Sequence, residues 1–63
     1  MNRIGKVRKE LQITQEELSF RTDIPQSEIS RIENGKKKHI ELETGIKIAR
    51  ALGKPVEYIF PDY

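Results

Sequence analysis

Apolar residues recur along the chain at helical spacing, in short runs broken by turn residues. Ile4, Val7 and Leu11 fall three and four apart, which predicts one apolar stripe on a helix over about Asn2–Gln12. A second helix begins at Thr14, because Thr14 followed three residues later by Glu17 forms a capping box. In that motif the threonine oxygen accepts an N–H near the helix start and Glu17 reaches back to the threonine N–H. Glu16 and Glu17 also suit the positive end of the helix dipole. Leu18 is the first apolar anchor, and Ser19 is small. The helix should stop near Thr22, since Asp23 is a turn residue and Ile24 before Pro25 favours extended backbone.

A third helix is predicted from about Gln26 to Glu33, with Ile29 and Ile32 on one face. Proline is tolerated at its start, where a missing N–H is no loss. Asn34-Gly35 ends it, either residue being able to take the left-handed conformation. After a loop of Lys36, Lys37, Lys38 and His39, a fourth helix is expected over about Leu42–Leu52. Its stripe is Leu42, Ile46, Ile48, Ala49 and Leu52. It has no clean N-cap. Gly45 inside it costs about 1 kcal/mol against alanine, which points to close helix packing. Gly53 closes that helix, and Val56 to Phe60 form a last short turn between Pro55 and Pro61. No strand is expected, and no repeat or long linker appears.

Length makes this one domain, 1–63, burying about 60% of the surface its unfolded chain exposes. With no cysteine there is no disulfide and no thiolate metal site, so a helical core, oligomerisation or both must stabilise it. The same lack fits a reducing cytoplasm. No signal core and nothing near the roughly 20 apolar residues of a spanning helix is present, so a soluble, cytoplasmic protein is expected.

A net charge of +2 says little by itself; its distribution says more. Arg3, Lys6, Arg8 and Lys9 crowd the start, and Arg31, Lys36, Lys37, Lys38 and His39 the middle. Enzymatic chemistry is not expected. The single histidine, His39, lies among lysines, and there is no Gly-rich phosphate loop and no metal-spaced cluster. No cofactor is implied.

The feature that carries chemistry is the pair of short helices, about 15–22 and 26–33, joined by a tight turn. Such a turn sets the second helix at a steep angle to the first. Leu18, Ile24, Ile29 and Ile32 then converge on one core, leaving Gln26, Ser27, Ser30 and Arg31 facing outward. Taken singly these four are an ordinary wet helix face. Together they match base edges in a DNA major groove: glutamine pairs two ways with adenine, arginine with guanine, and serine with several edges. The lysine loop and the capped start of the second helix flank them, and both suit phosphate.

Thr14-Gln-Glu-Glu-Leu18, Ile29-Ser-Arg-Ile-Glu-Asn-Gly-Lys36, Glu43-Thr44 and Lys47-Ile-Ala-Arg-Ala-Leu-Gly53 resemble the phage repressor and Cro (Xre) family over nearly the whole chain. The resemblance implies an all-α, compact five-helix bundle of the lambda-repressor-like type, whose second and third helices read DNA. By position it implies phosphate contacts from Gln15, Asn34, Lys36, Lys37 and Lys38. Gln15 would also brace the first residue of the third helix. Base contacts are implied from Gln26, Ser27, Ser30 and Arg31. Arg8 and Glu33 match a pair that forms a buried salt bridge in some relatives; read alone, they are surface charges. Three positions depart from the pattern. Asp23 replaces a usual glycine in the turn, Pro25 replaces a capping serine or threonine, and Thr22 stands where an apolar residue is common. Phe20 is expected to be partly exposed, as a packing or partner contact.

The expected function is sequence-specific binding of double-stranded DNA by a homodimer on an inverted repeat, with half-sites about 34 Å apart and repression as the default outcome. Tyr58, Ile59, Phe60 and Tyr63 concentrate apolar surface for a dimer contact, although some of it must cover the chain's own core. The rival reading is a protein-interaction module on the same fold, such as an antitoxin or adaptor. The set Gln15, Gln26 and Arg31 favours DNA.

Overall fold

Each helix in this chain is closed by an identifiable backbone device. A computed structural model describes residues 2–37 and 39–62. It contains α1 (Ile4–Glu10), α2 (Gln15–Thr22), α3 (Gln26–Glu33), α4 (Leu42–Leu52) and α5 (Val56–Ile59). Among the described residues there is no strand, and no helix is long and apolar enough to cross a membrane.

Three helix ends share one geometry. Gln12, Gly35 and Gly53 take positive φ of 59°, 72° and 70°. In each case the residue after the left-handed one bonds five positions back: Ile13 to the Arg8 carbonyl, Lys36 to Arg31, and Lys54 to Ala49. These are Schellman closures, which satisfy carbonyls the helix would otherwise leave open. Glycine supplies two of them at no steric cost. At the third helix it is therefore Gly35, not Asn34, that takes the left-handed turn; Asn34 stays at φ −86°.

The Gln12 closure shortens α1 relative to the expected Asn2–Gln12 and changes its stripe. Ile4 and Val7 are buried, but Leu11 is 48% exposed. Beyond the left-handed residue, Ile13 packs against the core. The start of α1 is fixed by Asn2. Its Oδ1 accepts the Ile4 N–H at 3.1 Å, and its Nδ2 donates to the Ile32 carbonyl at 2.8 Å. One side chain thus starts α1 and adds a second donor to the Ile32 carbonyl, which also accepts the Gly35 N–H at 3.1 Å.

At α2 the Thr14 hydroxyl oxygen accepts the Glu17 N–H at 3.0 Å, one half of the capping box. The Glu17 carboxylate turns forward instead, to Arg21 Nε at 2.8 Å. Thr22 is buried, and its hydroxyl donates to the Leu18 carbonyl at 2.8 Å. That bond lets a polar side chain occupy an apolar position without an orphaned group.

The core joins Ile4 and Val7 of α1, Leu18 of α2, Ile29 and Ile32 of α3, and Ile48, Ala49 and Leu52 of α4. Leu42, expected on the α4 stripe, is 53% exposed in the first turn, and Ile46 is half-buried. Gly45 is buried instead. A Cβ there would lie 3.4 Å from the Phe60 ring and 3.5 Å from Val56, so α5 packs directly on this backbone.

That packing divides the C-terminal apolar set. Ile59 is fully buried and Phe60 is 5% exposed, both inside the chain's own core. Ile59 of α5 and Phe60 at its C-cap enter the core, and Val56 and Tyr58 pack against it. Tyr58 is half-buried and covered by cations: Arg3 stands 4.6 Å over its ring, Lys54 Nζ 5.5 Å, and Lys6 Nζ donates to its hydroxyl at 3.4 Å. Tyr63 lies outside the described residues.

Candidate nucleic-acid interface

The joint between α2 and α3 is three residues, Asp23, Ile24 and Pro25. Asp23 adopts the left-handed conformation, φ 59° and ψ 30°, and its N–H donates to the Ser19 carbonyl at 2.9 Å. Aspartate tolerates this region better than most residues, so the turn forms without glycine. The Ser19 hydroxyl donates to the Ile24 carbonyl, tying the turn back to α2. Ile24 is buried and anchors the joint in the core.

Pro25 occupies the N-cap of α3 with φ −54° and ψ 142°. That φ lies in the range the proline ring imposes. Its carbonyl accepts the Glu28 and Ile29 N–H groups, both at 3.0 Å, so α3 starts at Gln26 without a side-chain cap. Proline thus sets the entry of the helix through its backbone.

Ile29 and Ile32 pin α3 from behind at 0% and 1% exposure. On the outward side Gln26, Ser27 and Arg31 are exposed, and Ser30 is half-buried. Asn34 is exposed at the helix end, its Nδ2 donating to Ser30 Oγ at 3.4 Å. Lys36 is exposed just past the Gly35 turn. Lys37 does not stand free: its Nζ lies 3.6 Å from Glu28 Oε2 in the first turn of α3. Lys38 lies outside the described residues.

A second set of contacts fixes α3 to α1 and α2. Arg8 Nε and Nη2 donate to Glu33 Oε1 and Oε2 at 3.1 and 2.9 Å, and Arg8 Nη1 donates to the Ile13 carbonyl at 3.0 Å. The two side chains are 13% and 14% exposed. Such a two-pronged pair fixes geometry as well as charge. Burial alone pushes the Glu33 carboxyl up. The Arg8 bonds and charge, a bond from the Gln15 side chain and the charge of Lys9 outweigh that, holding it below the ordinary carboxylate value. Gln15, half-buried at the first residue of α2, is thereby tied to α3 through Glu33.

Gly5 makes this arrangement possible. A Cβ at Gly5 would sit 2.9 Å from Glu33 Oε2, closer than real contacts allow. Neither Gly5 nor Asn2 was singled out by sequence reasoning. The available signal for Gly5 was a helix-weakening residue three positions before Arg8, on the same face.

The geometry is a short helix, held at its back by Ile29 and Ile32 and at its end by Glu33, with exposed polar side chains outward and cations beside it. The family model described as helix-turn-helix matches residues 4–59. No curated protein matches the chain. The matched span takes in all five helices, including the α2–α3 joint and the lysine loop. The chain therefore belongs to the helix-turn-helix family of the Xre, lambda-repressor-like type, a family of DNA-binding regulators.

Proposed function

We propose that the protein is a transcriptional repressor that binds an inverted-repeat operator as a homodimer. Each protomer lays α3 in one major groove, with half-sites about 34 Å apart on one face of the duplex. Gln26, Ser27, Ser30 and Arg31 read base edges: arginine takes the two acceptors of a guanine, glutamine the donor–acceptor edge of an adenine. Gln15, Asn34, Lys36, Lys37 and Lys38 hold phosphates and so set the register of the reader. Repression follows from occupancy of a promoter, which needs nothing beyond binding.

The observation that carries this reading is the combination of exposed Gln26, Ser27 and Arg31 with a helix immobilised by Ile29, Ile32 and Glu33. A site positioned by packing and ion pairing meets the groove at low entropic cost. For the dimer, Tyr58 and Tyr63 remain from the C-terminal set, since Ile59 and Phe60 belong to the core.

Binding to a duplex across a salt titration, with the mass of the free protein and of the complex measured in parallel, tests both parts. Affinity should fall steeply as salt rises, and two protomers should occupy one duplex. Salt-independent binding, or one protomer per site at all concentrations, would contradict it.

One observation favours a second reading. Phe20 is 84% exposed on α2, an apolar ring outside the core cluster. A protein-interaction module on this fold, an antitoxin or an adaptor, would use such a residue as a partner contact.

A further inference from the structure

The first turn of α3 carries a single acidic side chain, Glu28. Its partner is Lys37, nine residues further on and beyond the Gly35 turn. The contact requires the chain after Gly35 to fold back alongside α3, a reversal begun by the Lys36 N–H bonding to the Arg31 carbonyl. Both side chains are about one-third exposed, at 31% and 36%. The pair spans the flank of the reader, with its carboxylate in the same turn as Gln26 and Ser27.

We infer that Glu28 determines specificity by holding Lys37 away from phosphate in loosely docked complexes and yielding it only when α3 is seated in the groove. The inference rests on the reading of α3 as the DNA reader. Binding to arbitrary sequence is almost entirely phosphate charge. A lysine already paired with a carboxylate contributes less to it, and the carboxylate itself opposes the approach of a polyanion. An ion pair this exposed is weak, worth a factor of about 1.5–5. A phosphate fixed beside Lys37 by the base contacts of Gln26, Ser27, Ser30 and Arg31 displaces the carboxylate; a transient one does not. The pair therefore reduces affinity for random sequence more than affinity for the operator.

The test compares wild type, Glu28→Gln, Lys37→Ala and the double variant. Each is measured by fluorescence anisotropy over a salt series, on a duplex selected from a random pool and on pooled random-sequence duplex. Glu28→Gln should raise random-duplex affinity about threefold to tenfold and steepen its salt slope by about one. The ratio of selected to random affinity should fall. In the Lys37→Ala background the same substitution should lose at least half its effect. Equal gains in both backgrounds, no gain, or a loss confined to the selected duplex would each overturn the inference; the last would make Glu28 a base reader. Wild type without salt-dependent binding to either duplex would overturn the DNA reading itself, and this inference with it.

Discussion

Glu33, the last residue of α3, meets Arg8 of α1 through two hydrogen bonds of 3.1 and 2.9 Å, with both side chains about one-seventh exposed. The pair sets where the reader helix ends relative to the rest of the bundle. Replacing Arg8 by methionine leaves a largely buried carboxylate without its ion-pair partner, which costs about 3 kcal/mol. Urea unfolding at neutral pH should show this as a lower midpoint with an unchanged slope.

The same pair predicts a pH dependence. The Glu33 carboxyl is held below its ordinary value of 4.5 in the folded chain. Its contribution to stability is therefore fully present above that value and is lost as pH falls through the lower, folded value. The stability gap between wild type and Glu33→Gln should be constant from pH 7 to about 5 and should close below 4.5. A gap independent of pH would mean that Glu33 contributes through shape alone.

Gly5→Ala is expected to reverse sign with its neighbour. In wild type the new methyl lies 2.9 Å from Glu33 Oε2 and forces the paired carboxylate to move, at a cost of about 1–3 kcal/mol. In a Glu33→Ala background the methyl has room, and the better helix propensity of alanine should stabilise α1 by up to about 1 kcal/mol. Thermal unfolding of the four variants measures both effects.

Lys36 and Arg31 should fail differently. Lys36→Ala should weaken all duplexes alike and lower the salt slope by about one, the signature of a phosphate contact. Arg31→Ala should cost about 1–3 kcal/mol on the operator alone. Anisotropy on operator and random duplex at several salt concentrations separates the two.

Much of this fold was legible in the order of residues. The α2–α3 unit follows from local signals: a capping threonine, a turn at Asp23-Ile24-Pro25 and an isoleucine pair three apart. What escaped depended on tertiary distance. Leu11 and Leu42 fit their helical stripes, yet both lie near helix ends, where one left-handed residue or one missing neighbour leaves a side chain in water. The C-terminal apolar set could not be divided between core and dimer surface, because α5 is too short to show a periodicity; Ile59 and Phe60 are core, with Phe60 packed against Gly45. Gly5 and Asn2 act on residues 28 and 30 positions away, a separation no local pattern encodes.

The outward face of α3 is the centre of this account, and selection of duplexes from a random pool tests it most directly when wild type and Arg31→Ala are run side by side. Wild type should enrich an inverted repeat with half-sites one helical turn apart, and Arg31→Ala should keep the symmetry while losing preference at one base pair of each half-site. No enrichment by wild type, or an identical enriched sequence from both proteins, would contradict it.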